Sequence, residues 1–174
     1  MNEWDLELVA AWLLEPHVSR WWLSGTTREA ELDTYRARVR EPAPATHMLM
    51  VLEGAIAIGW CQWYRWGDYP EEAAASGAAI GEAGIDYAIG DPSRVGLGVG
   101  TRVIAALVSE VRRKLPGAGV VTAPAASNVA SRRVLEKNGF RLVEVRPIET
   151  EPVDEPMAVY RLAPVALAKP RARQ

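Results

Sequence analysis

The chain has 174 residues, 49% of them hydrophobic and 24% charged, with a formal net charge of −2. That balance suits one globular domain with a sizeable core, and it gives no electrostatic reason to expect nucleic acid or an acidic membrane as partner. A single cysteine, Cys61, excludes an intramolecular disulfide, and with only His17 and His47 as imidazoles no metal is expected. Glu3, Asp5 and Glu7 interrupt any apolar leader and no stretch is apolar enough to cross a bilayer, so a cytoplasmic protein is expected.

Leu6, Val9, Ala10, Leu13 and Leu14 recur at helical spacing and predict a helix over Asp5–Leu14, stopped before Pro16. A more polar helix is expected over Thr27–Arg40, with Thr26 or Thr27 as its cap, followed by a Pro42–Pro44 connector. Met48–Leu52 and Ala55–Tyr64, around Glu53-Gly54, read as a β-hairpin. Gly67–Ala83, rich in Gly, Ala and acids, reads as a long surface loop. Gly84–Ile89 is the next strand, with Ile85, Tyr87 and Ile89 on one face and Asp86 and Ala88 on the other. Val103, Ile104, Leu107, Val108 and Val111 give an amphipathic helix ended at Pro116-Gly117. Gly119–Ala123 is a short strand, Asn128–Asn138 a helix stopped by Gly139, and Arg141–Arg146 and Met157–Leu162 are the last strands. Residues 163–174 read as a disordered basic tail outside a domain of residues 1–162. Of the seven tryptophans, Trp4 and Trp12 are expected beneath the first helix, and Trp60, Trp63 and Trp66 cannot all share one strand face.

Between the strand and the amphipathic helix lies Val95-Gly96-Leu97-Gly98-Val99-Gly100-Thr101. Unpaired N–H groups at a helix start, with the partial positive charge of the macrodipole, bind phosphate, and glycine leaves those donors uncovered. The spacing is Gly-x-Gly-x-Gly, not the Gly-x-Gly-x-x-Gly of a dinucleotide loop, and no Gly-Lys-Ser/Thr ending marks a P-loop.

Gly96–Thr101 with its helix, followed by Ser127-Asn128-x-x-Ser131 and Glu136-Lys137-Asn138-Gly139-Phe140, resembles the GNAT superfamily of N-acetyltransferases. The resemblance covers most of residues 5–162. It implies an α/β (α+β) fold with a mixed, mostly antiparallel central sheet, flanked by helices and splayed at the coenzyme-binding strand. It also implies acetyl-coenzyme A as acetyl donor. The pantetheine arm would lie along Tyr87, Ala88 and Ile89 like an added strand. The pyrophosphate would rest on Val95, Gly96, Gly98, Val99, Gly100 and Thr101, with Asn128 and Ser131 as further contacts. Val95 stands where the superfamily loop opens with Arg or Gln, and Arg94 comes one position early.

Within the superfamily the chain is most similar to the aminoglycoside 6′-N-acetyltransferases, on Trp21-Trp22, Gly84-Ile85-Asp86, Gly98–Thr101, Ser127-Asn128 and Ala158-Val159-Tyr160. That resemblance implies Asp86 as the catalytic carboxylate and Trp22, Asp68, Tyr69, Glu82 and Asp154 along the acceptor pocket. The chemistry is consistent, because an amine must lose a proton to attack a thioester and a carboxylate at the coenzyme strand can receive it. No Lys or Arg lies between Trp66 and Ser93, whereas Asp68, Glu71, Glu72, Glu82, Asp86 and Asp91 do; Glu149, Glu151, Asp154 and Glu155 form a second acidic run. Such a rim suits a small cationic amine. Leu135 stands where many family members carry a Tyr that protonates the departing thiolate, and Ala123–Ala126 where related enzymes carry an acid.

The expectation is an acetyl-coenzyme A-dependent N-acetyltransferase acting on the 6′-amine of aminoglycosides, hence antibiotic resistance, as a monomer or homodimer. The alternatives are another amine acceptor (a polyamine, a lysine-derived metabolite or a peptide N-terminus) and a catalytically silent acyl-coenzyme A-binding domain.

Overall fold

The computed structural model describes residues 1–150 and 155–165; Glu151, Asp154 and residues 166–174 of the expected tail lie outside them. The helices are α1 (Leu6–Trp12), α2 (Pro16–Trp22), α3 (Arg28–Arg40), α4 (Pro70–Ser76), α5 (Val99–Lys114) and α6 (Val129–Lys137). The strands are β1 (Thr46–Glu53), β2 (Ile56–Arg65), β3 (Ala83–Ile89), β4 (Val120–Thr122), β5 (Arg141–Arg146) and β6 (Met157–Leu162). They form one sheet in the order β1-β2-β3-β4-β6-β5, antiparallel except between β3 and β4. The expected mixed, mostly antiparallel sheet flanked by helices is what the chain adopts.

Helices cover both faces of the sheet. The α5 stripe of Val103, Ile104, Leu107, Val108 and Val111 is buried against Ile58, Cys61, Trp63 and Ile85, each such side chain contributing about 1.5–3 kcal/mol. On the opposite face Leu6, Val9, Leu13, Val18 and Tyr35 of the first three helices and their links close over Trp60 and Ala88. Trp60 and Trp63, three residues apart in a period-two strand, therefore serve different cores, and Trp66 leaves the strand to join a third cluster with Val121 and Val159.

Three expectations are corrected. The first helix is broken: a 3-10 turn at Glu3–Asp5 precedes α1, and Pro16 opens a separate helix because its fixed φ and missing N–H suit a first helical position. Trp4, carried on that turn and not on the buried stripe of α1, is 86% exposed, whereas Trp12 stacks on Trp60 at 6.1 Å. The expected Gly67–Ala83 loop holds α4, started by Pro70 and ended by Gly77 at φ 68°.

β3 and β4 pair only at Ala83–Val120 and Gly84–Val121. The last link is a side-chain substitute, Thr122 Oγ1 donating to Ile85 O at 2.9 Å. Past it, Pro124 has no N–H for β3, and the chain turns to β6 instead: Ala158 N donates to Pro124 O and Ala126 N to Pro156 O, both at 2.8 Å. β3 runs on alone to Ile89, and the sheet splays there.

Candidate active site

The ladder between β2 and β3 decides which backbone groups face the splay. Ile85, Tyr87 and Ile89 stand opposite Trp63, Cys61 and Gly59. Gly90 N donates to Ile58 O at 2.9 Å and Trp66 N to Glu82 O at 3.1 Å, so these are the pairs that do not bond each other. Their N–H and C=O groups point away from β2, whereas those of Asp86 and Ala88 are directed into the β2 ladder. Ile85 O is taken by Thr122, and Ile89 O accepts from His17 Nε2 at 2.9 Å. A carbonyl only accepts, so that nitrogen carries the proton. The N–H and C=O of Tyr87 and the N–H of Ile89 face the opening. Of the three residues expected along a pantetheine arm, Tyr87 and Ile89 offer backbone to it and Ala88 does not.

The glycine loop follows. Gly96 and Gly98 adopt φ 79° and 76°, and a Cβ at either would meet nothing within 4 Å. Gly98 is the N-cap of α5, without a side-chain cap bond, which leaves the N–H groups of Val99, Gly100 and Thr101 without intrahelical acceptors. Gly100 differs: a Cβ there would lie 3.3 Å from Val134 and 3.5 Å from Tyr87, so this glycine lets α5 approach α6 and β3. Val95 is exposed and Val99 buried. Arg94 and Arg102 both turn to Glu53, at 3.1 and 3.2 Å, so the loop offers backbone donors more than guanidinium. Across the opening Asn128 caps α6, its Oδ1 accepting from Ser131 N at 3.1 Å, and Tyr87 Oη donates to Ser131 Oγ at 3.3 Å. The open loop amides suit a pyrophosphate, and the β3 edge suits an extended amide-bearing arm.

Asp86 projects from β3 to the other side of the sheet, into a cavity of about 330 Å³. Trp22 of α2, Glu31 and Arg38 of α3, Gln62 and Tyr64 of β2, and Ala123 and Asn128 beyond β4 share its walls. Gln62 Nε2 donates to Asp86 Oδ2 at 2.8 Å and Arg38 Nη1 to Gln62 Oε1 at 3.0 Å. Burial raises the Asp86 pKa above the ordinary carboxylate value, against the pull of Gln62 and then Arg38. Burial likewise raises that of Glu31, opposed by Tyr35 and Arg38 and reinforced by the Asp86 charge. A carboxylate whose ionised form is disfavoured is a competent proton acceptor. Cys61 is buried in the core and its thiol is pushed up to about 12, so it supplies no thiolate for a covalent acyl intermediate.

Trp22, Asp86, Tyr87, Asn128 and Ser131 thus meet at one cavity. Asp68 is exposed on a 3-10 turn outside it. Tyr69 bonds Thr46 Oγ1 at 2.6 Å and packs edge-on against Tyr64 of the cavity wall at 5.3 Å. Glu82 accepts from Ala79 N at 2.8 Å and pairs with Arg161 at 3.2 Å, away from the cleft. Asp154 lies outside the described residues. Leu135 is 1% exposed, packed in the α5 core. Glu31, Arg38, Gln62 and Tyr64 escaped the sequence reading. Their one visible signal was the spacing of Glu31, Tyr35 and Arg38 on a single helical face. Among the described residues no three His, Cys, Asp or Glu side chains cluster as a metal site, and no helix is long and apolar enough to cross a membrane.

The acetyltransferase (GNAT) domain family matches residues 2–147. The aminoglycoside N(6′)-acetyltransferases type 1 of Klebsiella pneumoniae and Serratia marcescens are each 31% identical over 148 residues, 80% of this chain and 71% of theirs. The crystal structure of the aminoglycoside acetyltransferase AAC(6′)-Ib in complex with coenzyme A and kanamycin superposes with a TM-score of 0.73 at 25% identity, over 94% of this chain and 91% of that one. The aminoglycoside N(6′)-acetyltransferase of Legionella pneumophila shares the fold at 19% identity and a TM-score of 0.73, over 94% and 88% of the two chains. With its splayed mixed sheet and glycine loop, the chain belongs to the GNAT acetyltransferase family and is an acyltransferase.

Proposed function

We propose that the protein transfers the acetyl group of acetyl-coenzyme A to the 6′-amine of an aminoglycoside and so confers resistance to it. The observation that carries this reading is a carboxylate, Asp86, held by Gln62 at the cavity wall on the residue next to the Tyr87 backbone that β4 leaves unpaired. The relatives named above, and the coenzyme A and kanamycin bound by one of them, support both the donor and the acceptor. Asp86 holds the amine and receives its proton as the new C–N bond forms and the C–S bond breaks. The Tyr87 N–H stabilises charge on the carbonyl oxygen. The backbone of Tyr87 and Ile89 and the N–H groups of the Gly96–Thr101 loop orient the donor. Leu135 supplies no proton, so coenzyme A leaves as the thiolate, tolerable near neutral pH for a thiol of pKa about 8.5.

The test mixes the protein, acetyl-coenzyme A and a panel of amines and follows thiol release. Turnover of kanamycin- or tobramycin-like sugars with the product acetylated at the 6′-nitrogen is expected. Turnover only of a simple diamine or a peptide would overturn the antibiotic assignment, and coenzyme binding without turnover of any amine would favour the silent domain.

One observation supports a second reading. Arg20 and Arg38 border the cavity, and among the described residues neither has a carboxylate within 4.0 Å. An acceptor that carries an anionic group beside its amine, such as a lysine-derived metabolite or a peptide, would use them.

A further inference from the structure

We infer that Arg38 and Gln62 form a positioning pair that fixes which oxygen of Asp86 meets the acceptor amine and turns an N–H, not a carbonyl, toward that carboxylate. The inference rests on the reading of Asp86 as the proton acceptor.

A glutamine amide has a donor end and an acceptor end that differ little in shape, so its orientation is set by its neighbours. Arg38 has only donors. The atom of Gln62 that faces Arg38 Nη1 at 3.0 Å must therefore be Oε1, and this turns Nε2 toward Asp86 Oδ2 at 2.8 Å. Gln62 is 6% exposed in the middle of β2, directly opposite Asp86 in the ladder, and the two backbones hold the side chains in register. Arg38 arrives from α3, which packs on β1. With Oδ2 occupied, Oδ1 remains for the amine. Were the amide reversed, a carbonyl oxygen would face a carboxylate oxygen in a partly buried site, a repulsion that protonation of Asp86 would relieve.

Among the described residues, the other charged or titratable groups around the cavity are Arg20 of α2, Glu31 and Tyr35 of α3, Tyr64 and Tyr87 of the sheet, and Glu155 ahead of β6. Arg20 lies over the Trp21 ring at 4.2 Å and Glu155 accepts from Ser127 Oγ at 2.7 Å, so each has its own contact. Glu31 opposes Arg38 in one respect: the Asp86 charge disfavours ionisation of Glu31, whereas Arg38 favours the ionised form of both carboxyls.

The test uses the full-length protein and two readouts, the pH titration of the Asp86 carboxyl carbon by NMR and the pH profile of kcat/KM from thiol release. R38M frees the amide to turn; Q62L removes it; R38K keeps a donor-only neighbour. R38M and Q62L should move the Asp86 titration and the acid limb of the profile to higher pH. They should also lower kcat/KM by about ten- to a hundredfold near neutral pH, with the KM for acetyl-coenzyme A unchanged. R38K should restore the wild-type titration and most of the activity. A titration midpoint that stays in place in R38M, or moves equally in R38K, would overturn the pair. Lost activity with the midpoint unmoved means packing alone, and overturns it as well. R38M alters a half-buried side chain at the cavity wall and keeps the test intact if Q62L does not fold. The NMR midpoint needs no acceptor, so a shift seen in R38M without turnover of any aminoglycoside leaves the pair standing and sinks the aminoglycoside reading alone.

Discussion

At the scale of single residues, Asp86 costs the fold stability once it is ionised. Its pKa in the folded protein is raised by burial, so its contribution to stability is largest when it is protonated, below the unfolded value, and is lost as pH rises through the folded value. At neutral pH the ionised carboxylate is therefore a burden on the fold. D86N is expected to raise the melting temperature at pH 7, with the gain shrinking to nothing as pH falls through the usual aspartate range; a melting series across pH checks it. The same variant should lower kcat by roughly tenfold or more, about 1.4 kcal/mol of barrier, while coenzyme affinity is unchanged. Asp86 was singled out in the sequence by the family resemblance, through Gly84-Ile85-Asp86 and the glycine loop, and strand alternation set it on the face opposite Ile85, Tyr87 and Ile89. Gln62 and Arg38 were not. A Gln in a hydrophobic hairpin strand and an Arg on a polar helix carry no mark of the cleft until sheet register and helix docking bring them together.

At the scale of elements, the glycine loop and the two helices beside it divide the labour. Gly98 is held at φ 76° as the α5 N-cap in open space. G98A should destabilise the protein by about 1–2 kcal/mol through backbone strain and raise the KM for acetyl-coenzyme A. Asn128 caps α6, and N128A should cost about 1 kcal/mol in chemical denaturation. Gly84 is a different case: a Cβ would stand 2.2 Å from the Tyr64 ring, so G84A should displace a cleft wall and impair acceptor KM before donor KM. Helices with strong apolar periodicity, α5 above all, were readable from the sequence. α2 and α4 were not, because each is only seven residues long and begins at a proline that equally announces a break.

For the whole molecule, the order of the six strands and of α1, α3, α5 and α6 was legible, and with it the splay of the sheet; which acids besides Asp86 would face the cleft was not. Asp68, Tyr69 and Glu82 follow β2 or precede β3, but the 3-10 turn and α4 hold them beyond the cavity, while α3, distant in sequence, supplies Glu31. Coenzyme A that fills the splay should stabilise the fold as a whole. A concentration a hundred times the Kd would add about 2.7 kcal/mol, read as a rise of several degrees in a thermal melt. The splay also gives this sheet an inner edge. Exposed strand edges invite pairing with other chains, yet here Thr122 occupies one end and His17 the other. What stays open is the peptide pair of Tyr87 and one amide of Ile89, too little for a stray strand to grip and enough for a ligand arm. Those two amides should exchange their hydrogens readily in the free protein and become protected when coenzyme A binds, which would make the fissure visible as a gap in an otherwise slow-exchanging sheet.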